Sequence, residues 1–489
     1  MAKHTTTKKT IAPVRVRMYR QGLGDCFLLS FPGKGEKPFH IVIDCGVCMG
    51  ARNPSARMQE VVADIATETG DKVDVLVTTH EHWDHLSGFE QAKDVWDRIA
   101  IGELWMAWTE KNGDAVATAV RTELGKKKKK VIGEALRMAA SPGLRLNAVR
   151  SSAIEGYLGF HGLGFNAAKG GPTLDNIYAS LKKSVAKHHY FLPHTVHTDA
   201  RMPGVKVFVL GPPRDVKKIA TSDPNKDRPE VYPETRRAFG FTDAERSADP
   251  DFSGPFATSE GVCIGERVAP AELRFHPISE RPADQLQGSY EEVFKHFFPA
   301  VGSGVDADWR RLNNDDFASF EQLAMALVRD TNNTSLVLAF QLPDGRVLLF
   351  PGDAQVGNCL SWHDATIKDG NKKVSAADLL KNTVLYKVSH HASHNGTLKD
   401  LGLEQMTHRD LIALVPLEVS QAASLGYART MPWPSLVGRL NERAKGRVLF
   451  SDSTHKGPTK SDLKALSDAA SSRFEKAVSI TDLYIDVHL

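Results

Sequence analysis

The sequence predicts a fold of the α/β or α+β class with layered sheets and helices. Three observations carry that reading. Short apolar segments bounded by glycine-containing turns alternate with amphipathic helical segments in both halves of the 489-residue chain. No stretch approaches the ~20 consecutive apolar residues of a membrane-spanning helix. The composition, 41% hydrophobic and 25% charged, is ordinary for a folded soluble protein and sets aside disordered, collagen-like and coiled-coil classes. At roughly 100–200 residues per domain, the length admits two or three domains or one large domain with insertions.

The elements follow in order. Val14–Tyr19, Cys26–Phe31 and His40–Ile43 read as strands, the first turn being Gln21-Gly22-Leu23-Gly24-Asp25. Met58, Val61, Val62 and Ile65 fall at i, i+3, i+4, i+7, between a start at Asn53-Pro54 and a stop at Gly70, and predict a helix. Val73–Thr78 is a strand with His80 just past its end, and Leu104–Trp108 is another. From Lys111 to Tyr190 the pattern is helical and basic. Its 14 Lys and Arg against 5 Asp and Glu make +9, leaving −6 for the remainder of a chain whose total is +3. The run Lys126–Lys130 supplies five of those charges.

Val205–Leu210 is a strand ending in Gly211-Pro212-Pro213, after which residues 214–284 hold eight of the 25 prolines and read as irregular. Asp315–Val328 is helical. Strands then return at Ser335–Phe340, Arg346–Phe350, Val384–Ser389, Leu411–Val415 and Arg447–Phe450, with a helix at Leu436–Lys445. The chain thus reads as a single domain, 1–489, carrying a basic helical insertion at 111–200 and a Pro-rich, then helical insertion at 214–330.

Met1 to Thr10 is polar and basic, without the apolar region of a signal peptide. Five cysteines (Cys26, Cys45, Cys48, Cys263, Cys359) are few and odd in number, which argues against a disulfide framework. A cytoplasmic location is the expectation. Cys45-x-x-Cys48 stands alone, without a second pair at zinc-ribbon spacing, and reads as two core cysteines.

The strongest chemical signal is His80-Glu81-His82-Trp83-Asp84-His85, read as a loop directly after a strand. Imidazole nitrogen and carboxylate oxygen are ligands that zinc and similar divalent ions prefer. In a turn the 80/82 and 84/85 pairs can point to opposite sides, which suits two adjacent metals. Gly352-Asp353 follows the strand ending at Phe350, and an Asp there can bridge two cations. His390-His391-Ala392-Ser393-His394 follows a third strand. Alone, a Gly-Asp after a strand is a turn and a His pair is surface; beside the first motif both become metal-site candidates.

Together these segments resemble the metallo-β-lactamase fold superfamily, whose signature is H-x-H-x-D-H, a later Asp after a strand, and a further His. The finer match is to its competence-protein (ComEC-like) branch. Gln21-Gly22-Leu23-Gly24-Asp25-Cys26, Ile43-Asp44-Cys45-Gly46, Asn332-Asn333-Thr334-Ser335-Leu336-Val337-Leu338, Pro351-Gly352-Asp353 and Leu385-Tyr386-Lys387-Val388-Ser389-His390-His391 are similar to V-G-Q-G-D, I-D-T-G, N-x-x-S-L-V-L, G-D and L-K-x-x-H-H-G-S. The resemblance covers roughly 12–110, 203–213 and 330–455, and implies an αββα sandwich with two insertions. It departs at Gly211-Pro212-Pro213, where many members carry a histidine ligand, at Ala392 for Gly, and at Met431 for His. His161, His188, His189, His194 and His197 are the histidines available as substitutes.

The resemblance implies one or two divalent ions, zinc or manganese, held by His80, His82, Asp84, His85, Asp353 and His390. His391 is then a neighbour or proton donor. Asp84 and His391 are the expected catalytic groups, and Asp44 the acceptor behind a ligand imidazole. The branch is associated with nuclease and phosphodiesterase chemistry, and a basic insertion of +9 attracts a polyanion such as DNA. Trp105 and Trp108 are either base-stacking platforms or core. The expected function is a metal-dependent phosphodiesterase or nuclease. Alternatives are a lactonase- or thioesterase-like hydrolase of the same fold, and a subunit of a multi-protein defence or DNA-processing complex that docks through its insertions. No membrane partner is expected.

Overall fold

Seventeen strands fall among the residues that the computed structural model describes, which are 14–140, 173–233 and 327–489 without 36, 49, 50, 52, 226–228, 426, 428, 429 and the side chains of 135–140. Most of the Pro-rich segment, most of the helix expected at Asp315–Val328, His161 and Cys263 lie outside them.

The strands are β1 (Arg15–Tyr19), β2 (Cys26–Phe31), β3 (Phe39–Cys45), β4 (Lys72–Val77), β5 (Ala100–Ala107), β6 (His188–Phe191), β7 (Thr195–Thr198), β8 (Lys206–Gly211), β9 (Val337–Gln341), β10 (Val347–Phe350), β11 (Ile367–Asp369), β12 (Lys372–Val374), β13 (Thr383–Lys387), β14 (Ile412–Val415), β15 (Val448–Phe450), β16 (Val478–Ile480) and β17 (Tyr484–His488). One sheet has eight strands in the order β16-β17-β1-β2-β3-β4-β5-β6. A second has seven, β15-β14-β13-β10-β9-β8-β7, and β11 pairs with β12 alone. Both large sheets are mixed. Short turns give antiparallel pairs such as β1/β2 and β9/β10, whereas longer crossovers give parallel ones such as β3/β4, β10/β13 and β13/β14. The fold is of the mixed α/β class.

Burial explains why β4 reads as a continuous apolar run. Val75 and Val77 enter a cluster that also takes Val207, Leu338, Phe340, Phe350 and Leu385 from the second sheet. Leu76 points the other way, into a cluster with Met58, Val61, Val62 and Ile65 of the helix Pro54–Thr69. Successive side chains serve opposite faces, so a strand covered on both is apolar at nearly every position. Phe27 meets Phe350 edge-on, ring centroids 5.5 Å apart, across the shared cluster. Beyond the second sheet, Leu379 and Leu380 of Ala376–Lys381 and Leu436 and Leu440 of Pro434–Ala444 pack with Tyr386 and Ala413.

Three features depart from the sequence reading. The segment 111–200 is not wholly helical. After the helices Ala115–Ala140 and Leu174–Ser184 it supplies β6 and β7, edge strands of the two sheets, and four residues are too few to display a strand period. Residues 83–86 are a helical turn rather than loop. The C-terminal β17 pairs with β1, fastened by Arg17, whose Nε and Nη2 each donate to Asp486 at 2.8 Å and whose guanidinium lies 3.4 Å from the Tyr484 ring centroid. No helix among the described residues is long and apolar enough to cross a membrane.

Candidate metal centre

Parallel strands bring their carboxyl ends to one edge, and the chemical residues sit there: Asp44 in the last turn of β3, Thr79–His85 after β4, Gly352-Asp353 after β10, and Lys387–His391 at the end of β13. The β2/β3 register pairs Cys26 with Cys45, which puts the turn at Asp25 beside them. Backbone bonds fix the approach. Gly46 N–H donates to Asp25 O and Asp25 N–H to Asp84 O, both at 3.0 Å. A Cβ on Gly24, whose φ is +147, would lie 2.6 Å from Asp84 O, so only glycine fits between these loops. A Cβ on Gly352, at φ +57, would lie 3.0 Å from Thr79 Cβ, and the N–H of the next residue, Asp353, donates to Ser335 Oγ at 3.1 Å.

Four buried side chains converge. Asp25, His85, Asp353 and His391 offer ligand atoms all within 4.8 Å of one another, the one such His/Cys/Asp/Glu group among the described residues, and this group can hold a metal ion. Asp353 Oδ2 lies 3.2 Å from His85 Nε2 and 3.3 Å from His391 Nε2. Asp84 Oδ2 lies 3.2 Å from His391 Nε2 and 3.7 Å from His85 Nε2. The opposite ring nitrogens are tied to acceptors, His85 Nδ1 to Asp44 Oδ2 at 2.8 Å and His391 Nδ1 to Pro416 O at 2.7 Å. A carbonyl or carboxylate oxygen can only accept, so each Nδ1 carries a proton and each ring turns its Nε2 to the cluster, free to ligate in the neutral form. Asp44 is held in turn by Thr79, whose N–H donates at 2.8 Å and whose hydroxyl donates at 2.6 Å.

The donor set fits a divalent cation. His85 Nε2, Asp84 Oδ1 and Asp25 Oδ1 are buried without a hydrogen-bond partner, an arrangement that costs about 1–3 kcal/mol per group unless something else satisfies it. The electrostatics agree. Burial opposes charge on His85 and His391, yet Asp353 and the neighbouring carboxylates outweigh it, raising His85 well above its ordinary value and His391 to about 10. Burial also disfavours the Asp353 carboxylate, but His391, His85 and Lys387 overcome it and hold Asp353 well below the usual range. The carboxylates therefore demand positive charge at this point. Protons on the imidazoles or a metal ion can supply it.

His80 and His82 lie beside this group and outside it. His80 Nε2 and His82 Nδ1 are hydrogen-bonded to each other at 2.9 Å, and the His80 ring centroid is 4.2 Å from that of His85. Of the two histidines after β13, His391 enters the cluster, and His390, the ligand expected from the sequence, does not. The cause is the backbone, which takes φ 47 at His390 and φ 50 at His391 and turns the adjacent side chains apart. His390 meets amides instead, with Nδ1 3.2 Å from both Asn395 Oδ1 and Gln355 Nε2 and Nε2 3.2 Å from Asn332 Nδ2.

Gly211-Pro212-Pro213 brings no ligand; Pro212 O accepts from Trp108 Nε1 at 2.9 Å. Of the candidate substitutes, the four described ones stay elsewhere, His189 on Glu103 at 2.9 Å, His194 on Ser361 O at 3.0 Å, His197 against Trp105, and His188 beside Tyr190. Trp105 and Trp108 are fully buried and are core. The lysine run is partly spent within the chain, Lys127 on Asp330, Lys128 on Asp175 and Lys126 on Glu123.

Two members of the site were not assigned a role from sequence. Asp25 follows a Gly-rich turn, as Asp353 follows Gly352. Lys387 closes the otherwise uncharged strand TVLYK, and is 1% exposed. A lone charge in a buried strand was the available signal. Lys387 Nζ reaches Asp25 Oδ2 at 2.6 Å, Asp353 Oδ1 at 3.2 Å and Gly352 O at 2.7 Å.

No family model matches the sequence, and no curated protein matches it.

Proposed function

We propose that the protein is a metal-dependent hydrolase of the metallo-β-lactamase fold, acting on phosphodiesters and most concretely on DNA. Two sheets packed on one shared cluster, with helices on their other faces, support the αββα reading. The single observation that carries the activity is the convergence of buried, incompletely bonded His and Asp donors from four separate strand ends.

When bound, a divalent ion, zinc or manganese, supplies Lewis acidity that lowers the pKa of a water from 15.7 to about 7. The residues do the rest. Asp25, His85, Asp353 and His391 would hold the ion, with Asp84 Oδ2 3.2 Å from His391 Nε2. Asp44 and Pro416 O keep the two imidazoles in the ligating tautomer. Asp84, whose Oδ1 has no hydrogen-bond partner, accepts the proton released by the attacking water. Lys387 stabilises the negative charge of Asp25 and Asp353.

The +9 of residues 111–190 supports an anionic substrate, and Lys129 and Lys130 remain exposed on the helix that bears the run. The internal pairing of Lys126, Lys127 and Lys128 favours a second reading, a small-ester hydrolase such as a lactonase, for which no cationic track is needed.

The test is cleavage by purified protein, stripped with a chelator and resupplied with manganese or zinc. The substrates are plasmid, single-stranded DNA and a panel of lactones and thioesters. We expect metal-dependent DNA cleavage that falls steeply with salt and is lost in Asp84→Ala plus His85→Ala. Cleavage that survives the double substitution overturns the site, and lactone turnover without DNA cleavage selects the second reading.

A further inference from the structure

We propose that the Lys387 ammonium holds the position of a second cation, so that the centre binds one divalent ion per chain; this deepens, and rests on, the metal-dependent reading above. A carboxylate that bridges two cations gives one oxygen to each. Asp353 divides its oxygens in that manner, but its second partner is built into the chain: Oδ2 faces the Nε2 atoms of His85 and His391, while Oδ1 faces Lys387 Nζ at 3.2 Å. The ammonium has three N–H donors and three acceptors around it, Asp25 Oδ2, Asp353 Oδ1 and Gly352 O, so it is fully used and fixed. A buried ammonium is expensive unless paired, and Asp25 answers that cost from the turn before β2.

The ligand supply points the same way. His80 Nε2 and His82 Nδ1, 2.9 Å apart, can face one shared point, but they supply only two ligand atoms. The strand end that would complete their set is Gly211-Pro212-Pro213, without a donor side chain. The group that does converge excludes both histidines. One cation position therefore has a full set of ligands, and the Asp353 oxygen left for another, Oδ1, is taken by a lysine.

The experiment uses the full chain, stripped with a chelator, reloaded with excess Mn²⁺, desalted, and counted by elemental analysis against a His85→Ala plus His391→Ala blank. We expect one manganese per chain and the electron paramagnetic resonance signal of an isolated Mn²⁺ ion. In Lys387→Met, which keeps the length and removes the charge, we expect the count to rise to two and the spectrum to become that of an exchange-coupled pair. Two ions in the unsubstituted protein overturn the inference and leave the metal-dependent reading standing. No ion overturns that reading itself. A Lys387→Met protein that folds and still binds one ion overturns the claim that the ammonium keeps the second ion out. Should that variant fail to fold, the count in the unsubstituted protein still decides.

Discussion

Replacing Asp44 by Asn isolates the step on which the centre's geometry depends. The carboxylate accepts three hydrogen bonds, from Thr79 N–H at 2.8 Å, from Thr79 Oγ1 at 2.6 Å and from His85 Nδ1 at 2.8 Å. The amide keeps the first through Oδ1, but its Nδ2 then faces two donors and can accept from neither. His85 gains by moving its proton to Nε2, directed at Asp353 and Asp84, and that nitrogen can no longer ligate. Loss of such a supporting partner costs about 10–100-fold in metal affinity, which is about 1.4–2.7 kcal/mol at ~1.4 kcal/mol per tenfold. The assay is a competition titration of Zn²⁺ against a chromophoric chelator, with thermal unfolding to confirm that the variant is folded. An affinity within about threefold of the unsubstituted protein refutes the argument that Asp44 sets the His85 tautomer.

Other outcomes follow from the same coordinates. His391→Ala is expected to abolish high-affinity metal binding, whereas His390→Ala, which loses only amide contacts, lowers affinity by no more than about tenfold; the same titration checks both, and equal losses contradict the assignment. Asp486→Ala leaves Arg17 buried without its bidentate partner and is expected to cost about 3–5 kcal/mol, read as a lower urea midpoint; a change below about 1 kcal/mol would show that Asp64 and Glu68, 2.6 and 3.3 Å from Arg17 Nη1, suffice. The Arg439 guanidinium at 2.6 Å, then the Tyr232 hydroxyl, hold Glu404 at about 2 instead of 4.5. The folded-state value is the lower one, so this contribution is complete above about pH 4.5 and is lost as pH falls toward about 2. Glu404→Gln should therefore flatten the loss of stability in that window, and an unchanged acid limb contradicts it.

How far the site could be read from the chain depended on the range of each signal. His80 to His85 and Gly352-Asp353 were legible because their chemistry is packed into a few residues beyond an apolar strand, and β4 was legible because both its faces are buried. The choice between His390 and His391 was not, since the neighbours differ only in where a left-handed backbone aims each ring. Asp25 and Lys387 were not paired in the reading because their contact joins opposite ends of the chain across the seam of two sheets. The edge strands β6 and β7 and the closure of β17 on β1 are short and take their stability from partners far away in sequence. Local pattern does not encode such pairings.

The central claim is that Asp25, His85, Asp353 and His391 gather around a cation. An anomalous difference map from crystals of the full chain grown with Zn²⁺ tests it most directly. We predict a peak about 2.0–2.2 Å from His85 Nε2, His391 Nε2 and an Asp353 oxygen. A map with no peak there, or with its peak on His80 and His82 alone, contradicts the account.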